Sequence, residues 1–270
     1  MHDWTLQHVS VWLEDASSNE SAFNHALEWA FRLNLPLRVA AITQPPVSDR
    51  IKSWGEKCAL RGVALETHLT TARTQGAVEH FLKPHGLCVF SDSADAHTEQ
   101  DLLQRSARIP TLCQLLSAGA TAPIGRVLIL CRDTDLCVKY LESAARICQA
   151  LETTPIILIL AKTEYDAELK HEYAEGIFNA SRMLVDVDFV IDREPRQAVS
   201  RIASWRRCSH VIVPRAADTL DSQVRELSAT VSVLTVPINL SLDLPGRIRS
   251  GRGILSANRF EQIEPITAPV

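Results

Sequence analysis

Four residues of this sequence stand where a side chain could meet a ligand: Asp15, Ser17, Asp133 and Arg215. Asp15 and Asp133 each close an apolar run, which places a carboxylate at the end of a strand. Ser17 lies just beyond the first of them. Arg215 follows the run His210-Val-Ile-Val213, where a guanidinium could greet an anion. Each also has a plainer reading. Ser, Thr or Asn neighbours make both aspartates good N-cap or turn residues, Ser17 is itself an N-cap type, and a loop arginine is usually solvated.

Other chemistry finds little support. The nine histidines form no His-x-His and no His-Glu-x-x-His; His171-Glu172-Tyr173 stops short of a second ligand, and His80 and His85 straddle a helix end. No serine lies in a Gly-x-Ser-x-Gly elbow. Asp186 and Asp188 alternate along one strand and so point the same way, without a cleft that would make them an acid–base pair. The seven cysteines are scattered, odd in number and free of Cys-x-x-Cys, which fits reduced, core-filling thiols and neither disulfides nor zinc. Glycine numbers only ten, and no two stand within a P-loop or a dinucleotide fingerprint.

The elements that would position these residues repeat. Val9–Leu13 reads as a strand. Phe23, Ala26, Leu27, Ala30 and Phe31 then give a helical stripe, and Leu37–Ile42 the next strand after Pro36. Strand, helix and strand with short connections make a βαβ unit and a parallel sheet. A helix over Asp49–Arg61, strands at Val63–Leu69 and Leu87–Phe90, helices over Gln75–Lys83 and Thr98–Ala107, and a strand at Pro110–Leu115 complete the first set.

After the small, polar stretch Ser117–Pro123 the order starts again. Strands are expected at Val127–Cys131, Ile156–Leu160, Val185–Ile191, His210–Val213 and Val231–Val236. Helices are expected through Leu141–Cys148, over Glu164–Met183, from Pro195, and over Ser222–Ser228. Val9 to Val127, Leu87 to Val211 and Pro110 to Ser232 are 118, 124 and 122 residues apart. A period of that size marks a duplicated domain. The fold class is α/β: two tandem doubly wound domains, each a mainly parallel five-stranded sheet flanked by helices, over residues 1–116 and 125–244. A linker at 117–124 and a tail at 245–270 accompany them. Trp29, Trp54 and Trp205 fall on helices as packing residues, and the arginines of the tail suit a flexible terminus or an arm for a partner.

The order of these elements and several local strings resemble the universal stress protein family in its tandem form. Leu13-Glu-Asp-Ala-Ser-Ser is similar to that family's first-strand end, and Glu194-Pro-Arg-Gln-Ala-Val199 to its Gly-x-Pro helix start. His210-Val-Ile-Val213 resembles its Asp-Leu-Ile-Val strand, and Ile109-Pro110-Thr-Leu the entry to its last strand. The resemblance implies an adenine nucleotide hydrolase-like fold, an aspartate near an adenosine moiety (Asp15 and Asp133), and a Gly-x-x-Gly turn with a Gly-Ser or Gly-Thr helix start for the phosphates. Here the turns read Ser91-Asp-Ser-Ala-Asp-Ala-His97 and Pro214-Arg-Ala-Ala-Asp-Thr-Leu220, with no glycine in either. Backbone amides approach phosphate oxygens where no Cβ intervenes. These residues therefore argue against the family's ATP site.

With 28 basic against 32 acidic residues in a chain of 270, there is no global charge to drive nucleic-acid or membrane-surface binding. The longest apolar run, Ile156 to Ala161, is too short to insert in a membrane, and the N-terminus has no secretory pattern. The expectation is a cytoplasmic, non-enzymatic binding or regulatory protein in stress response, without cofactor or metal. Its last strands, Pro110–Leu115 and Val231–Val236, would pair as an intramolecular pseudo-dimer; a homodimer and an unidentified protein partner are left open. The alternatives are an ATP- or AMP-binding protein with slow hydrolysis, using Asp15, Ser17, Asp133 and Arg215, and an interaction domain serving a membrane transporter or kinase.

Overall fold

The computed structural model describes residues 4–13, 20–42, 48–70, 85–91, 111–116, 124–131, 134–191, 195–215, 231–238 and 242–244. Its elements run β1 (Trp4–Thr5), β2 (His8–Leu13), α1 (Glu20–Leu33), β3 (Leu37–Ile42), α2 (Ser48–Leu60), β4 (Leu65–Thr70), β5 (Gly86–Ser91) and β6 (Leu112–Leu116). The second half contributes β7 (Val127–Cys131), α3 (Thr134–Ala150), β8 (Pro155–Ala161), α4 (Glu164–Ala180), β9 (Asp186–Ile191), α5 (Pro195–Trp205), β10 (His210–Arg215), β11 (Ser232–Pro237) and β12 (Leu242–Asp243). The helices read at 75–83, 98–107 and 222–228, the stretch 117–123 and the tail from 245 lie outside the described residues.

Helix α1 forms because Phe23, Ala26, Leu27 and Ala30 share a stripe that is buried along its length, with Glu20 in the first turn and Arg32 in the last, both favourable to the helix dipole. It ends at Asn34, whose φ of 54° is left-handed; Leu35 N–H then bonds back to Ala30 C=O at 2.9 Å. The other four described helices stop in the same way, at Gly62, Glu152, Arg182 and Arg207. Val63, Thr153, Met183 and Cys208 bond back to Cys58, Cys148, Phe178 and Ala203. This stop usually uses glycine, and here only one of the five does. The glycine shortage thus reaches the helix ends, where a Cβ in the left-handed region costs about 1 kcal/mol.

Ten strands form one sheet in the order β4-β3-β2-β5-β6-β11-β10-β7-β8-β9. Within each half every pairing is parallel; the halves meet at β6 and β11, which pair antiparallel with Leu234 opposite Gln114 and Thr235 opposite Cys113. The two last strands therefore adjoin as the sequence suggested, and the second half repeats the first in reversed order. One apolar layer covers each face. Val9, Val11, Val39, Leu87 and Ile129 pack with α1, α3 and α4, while Trp12, Phe90, Leu128, Ile156 and Val211 pack with Val199 and Ala203 of α5. Alternation along buried strands sends neighbouring residues to opposite layers, as a doubly wound sheet requires.

Two features were not legible beforehand. β1 and β12 pair parallel as a separate two-stranded sheet, joining the two ends of the described chain. Arg146 and Ser143 of α3 hold Leu242 there by its backbone. Two-residue strands carry no periodicity to read. Trp29 and Trp54 are buried, Trp54 stacked on Phe23 with ring centroids 5.4 Å apart. Trp205 is the exception: it closes α5 at 72% exposure, and the Arg206 guanidinium lies 4.7 Å from its ring centroid.

Candidate functional site

In a doubly wound sheet ligands bind beyond the carboxyl ends of the strands. The sequence reads Asp15, Ser17 and Asp133 at such ends, but they lie outside the described residues, as do the turns 92–97 and 216–220. Arg215 is described, and the structure corrects its setting. It is the last residue of β10, not a loop residue, and only 5% exposed.

The antiparallel junction explains the burial. Because strands of the two halves run oppositely, the carboxyl end of β10 lies level with the amino end of β6 across the sheet. Arg215 Nη1 donates to Cys113 Sγ at 3.3 Å, and Nη2 donates to the carbonyl of Thr111. Thr111 Oγ1 in turn donates to Gly86 C=O at 2.5 Å and lies 3.7 Å from Cys88 Sγ. Thr235 Oγ1 reaches Cys113 C=O at 3.3 Å across the same junction. The result is a buried polar staple whose cation belongs to the second half and whose acceptors belong to the first.

The staple depends on small residues. His8 stands opposite Gly86 in register, and a Cβ on Gly86 would come within 2.5 Å of His8 Nε2. The Cys88 thiol is a poor nucleophile. Burial pushes the Cys88 thiol up, the neighbouring Cys113 adds to this, and the Thr111 bond and Arg215 only partly oppose it. Cys148, in the apolar layer on the α1 and α3 side, is raised by burial as well. Cys208, only half-buried, is pushed up to about 11. Burial raises Cys58 too, so none of Cys58, Cys88, Cys148 and Cys208 is a reactive thiolate near neutral pH.

By the same geometry the amino end of β10 lies level with the carboxyl end of β6. His210 sits there, buried, with Nδ1 sharing a hydrogen bond with Ser209 Oγ at 2.8 Å and Nε2 lacking a hydrogen-bond partner. Its ring centroid is 6.1 Å from that of His25 and 6.4 Å from that of Trp29, both on α1. Burial, then His25, pushes the imidazole down to about 3, so it is neutral at ordinary pH. In the sequence His210 shows only as a histidine opening an apolar run.

Asp186 and Asp188 do share one side of β9. Arg206 takes Asp188 in a two-point grip, with Nε 2.8 Å and Nη2 2.5 Å from its two oxygens, and Nη1 lies 4.0 Å from Asp186. The carboxylates are thereby committed to an ion pair at the sheet edge. Among the described residues no three His, Cys, Asp or Glu are grouped to hold a metal ion.

No known family profile matches the chain, and no curated protein matches it in sequence. Solved structures do match in fold. A universal stress protein from Archaeoglobus fulgidus aligns with a TM-score of 0.61 at 14% identity, over 85% of this chain and 98% of that one. A putative universal stress protein from Pseudomonas aeruginosa gives 0.61 at 12%, over 86% and 93%. The cytoplasmic domain of a prokaryotic cation chloride cotransporter gives 0.61 at 12%, over 85% and 94%. The chain has the universal stress protein fold, as two doubly wound units sharing one sheet. None of its described helices is long and apolar enough to cross a membrane.

Proposed function

We propose that the chain is a cytoplasmic, non-enzymatic binding and regulatory protein of the stress response, whose strand-end crevices work without the triphosphate cradle found in nucleotide-binding relatives of this fold. The observation that carries the reading is Arg215. The one described cation at a strand end predicted to meet an anion is spent on Thr111 and Cys113 of the other half. The absence of glycine from both turns points the same way, because a Cβ holds phosphate oxygens away from backbone amides. Calorimetric titration of the full chain with Mg-ATP and with AMP tests it. The expected result is no saturable binding tighter than about 1 mM; a one-to-one isotherm with a micromolar Kd would overturn the reading in favour of an adenine nucleotide protein.

A second reading is favoured by the fold shared with a cotransporter's cytoplasmic domain over 85% of this chain. On it, the protein acts as a detached regulatory domain for a membrane transporter. Recovery of one integral membrane protein by the tagged chain from detergent-solubilised membranes, and not from the soluble fraction, would support it. Equal recovery from both would count against it.

A further inference from the structure

The two halves can be compared row by row, because the registers give equivalent positions across their first three strands. In the second half one row reads Leu128, Ile156, Asp186 and the next reads Leu130, Leu158, Asp188. The four aliphatic residues are buried under α5, and the two aspartates are held by Arg206. In the first half the same rows read Ser10, Arg38, Glu66 and Trp12, Ala40, His68. Where one half packs Leu, Ile and Leu, the other places a hydroxyl, a guanidinium and a methyl.

Over these positions lies a cavity of about 100 Å3, lined among the described residues by Ser10, Arg38, Ala40, Glu66 and His68, with Val39 and Thr67 contributing from between them. That is room for about three waters. Ser10, fully buried, lines it, and its hydroxyl has no hydrogen-bond partner. Arg38 Nε donates to Glu66 Oε2 at 2.6 Å; the Arg38 side chain is 29% exposed and that of Glu66 57%. The other N–H groups of Arg38 have no partner among the described residues. A buried hydroxyl without a partner costs about 1–3 kcal/mol, so a polar ligand atom that bonds it is favoured.

We propose that this cavity is a binding site for a small zwitterion, an amino acid of about glycine to serine size. Its carboxylate takes the free N–H groups of Arg38, its ammonium takes Glu66, and a polar atom satisfies Ser10. The charge argument selects the class. Arg38 and Glu66 already balance one another, so a ligand that brings its own balanced pair meets an opposite charge at both ends, whereas a simple anion would also face the Glu66 carboxylate. The site lies on the sheet face, apart from the strand-end crevices, and does not depend on whether those bind nucleotide.

The test is NMR or calorimetric titration of the full chain with glycine, L-alanine and L-serine, using acetate and methylammonium as controls. Saturable binding of at least one amino acid with a Kd of about 1 mM or tighter, and binding of both controls at least about tenfold weaker, is expected. Ser10→Leu combined with Arg38→Ile installs the second half's residues and should abolish binding with the melting temperature kept or raised. If that variant does not fold, Ala40→Leu fills the cavity alone and should weaken binding about tenfold or more. No saturable binding by any of the three amino acids, acetate binding as tightly as they do, or binding that survives the filled cavity would each overturn the proposal.

Discussion

Acidification should destabilise this protein by protonating His210. Its imidazole is buried against His25 and Trp29 and is pushed down to about 3, whereas in the unfolded chain it titrates near 6.5. Between those values the unfolded state binds the extra proton. The contribution of neutral His210 is therefore complete above about pH 6.5 and is lost as pH falls toward about 3. At about pH 5 the gap to the unfolded value is about 1.5 units, worth about 2 kcal/mol, a large share of a typical folding free energy. Urea unfolding midpoints at a series of pH values, for the wild-type chain and for His210→Val, isolate the effect. The wild type should lose about 2 kcal/mol more than the variant between about pH 8 and pH 5. Parallel pH profiles for the two proteins would refute the reasoning, since they would mean that His210 is not held neutral by its surroundings.

Gly86→Ala should destabilise by about 1–3 kcal/mol, because its methyl would meet His8 Nε2, and adding His8→Ala should recover much of the loss in a thermal melt. Arg215→Met leaves the Thr111 carbonyl without its donor and should cost about 1–3 kcal/mol by denaturant titration; Arg215→Lys should not restore it, because a single ammonium cannot reproduce the fork to Thr111 and Cys113. Arg182→Gly should raise stability by about 1 kcal/mol, since the left-handed residue after α4 then carries no Cβ, and a melting temperature at or below the wild type's would contradict that account.

The apolar periodicities located β2, α1, β3, β7 and β8 almost to the residue because each buries one repeating face or a whole run. The pairing of the last strands was also legible, through the resemblance to a family that dimerises by its last strands. The staple was not. Arg215 reads as a loop residue because Pro214 breaks the run before it, and only the antiparallel junction of β6 and β11 brings it beneath Thr111 and Cys113. Ser10 and Arg38 escaped notice for a similar reason: each is an ordinary polar residue in its own strand. Their meaning comes from the register that sets them beside Glu66 and against Leu128 and Ile156 in the other half.

The account stands on β6 and β11 joining both halves into one sheet, and amide hydrogen exchange on the intact chain reads that junction directly. The amides of β6 and β11 around Gln114 and Leu234 should exchange as slowly as those of the interior strands β2 and β7, opening only with global unfolding. Exchange there that is about a hundredfold faster than in β2 and β7 would show two independent units with open edges, and the staple built on their junction would fall with it.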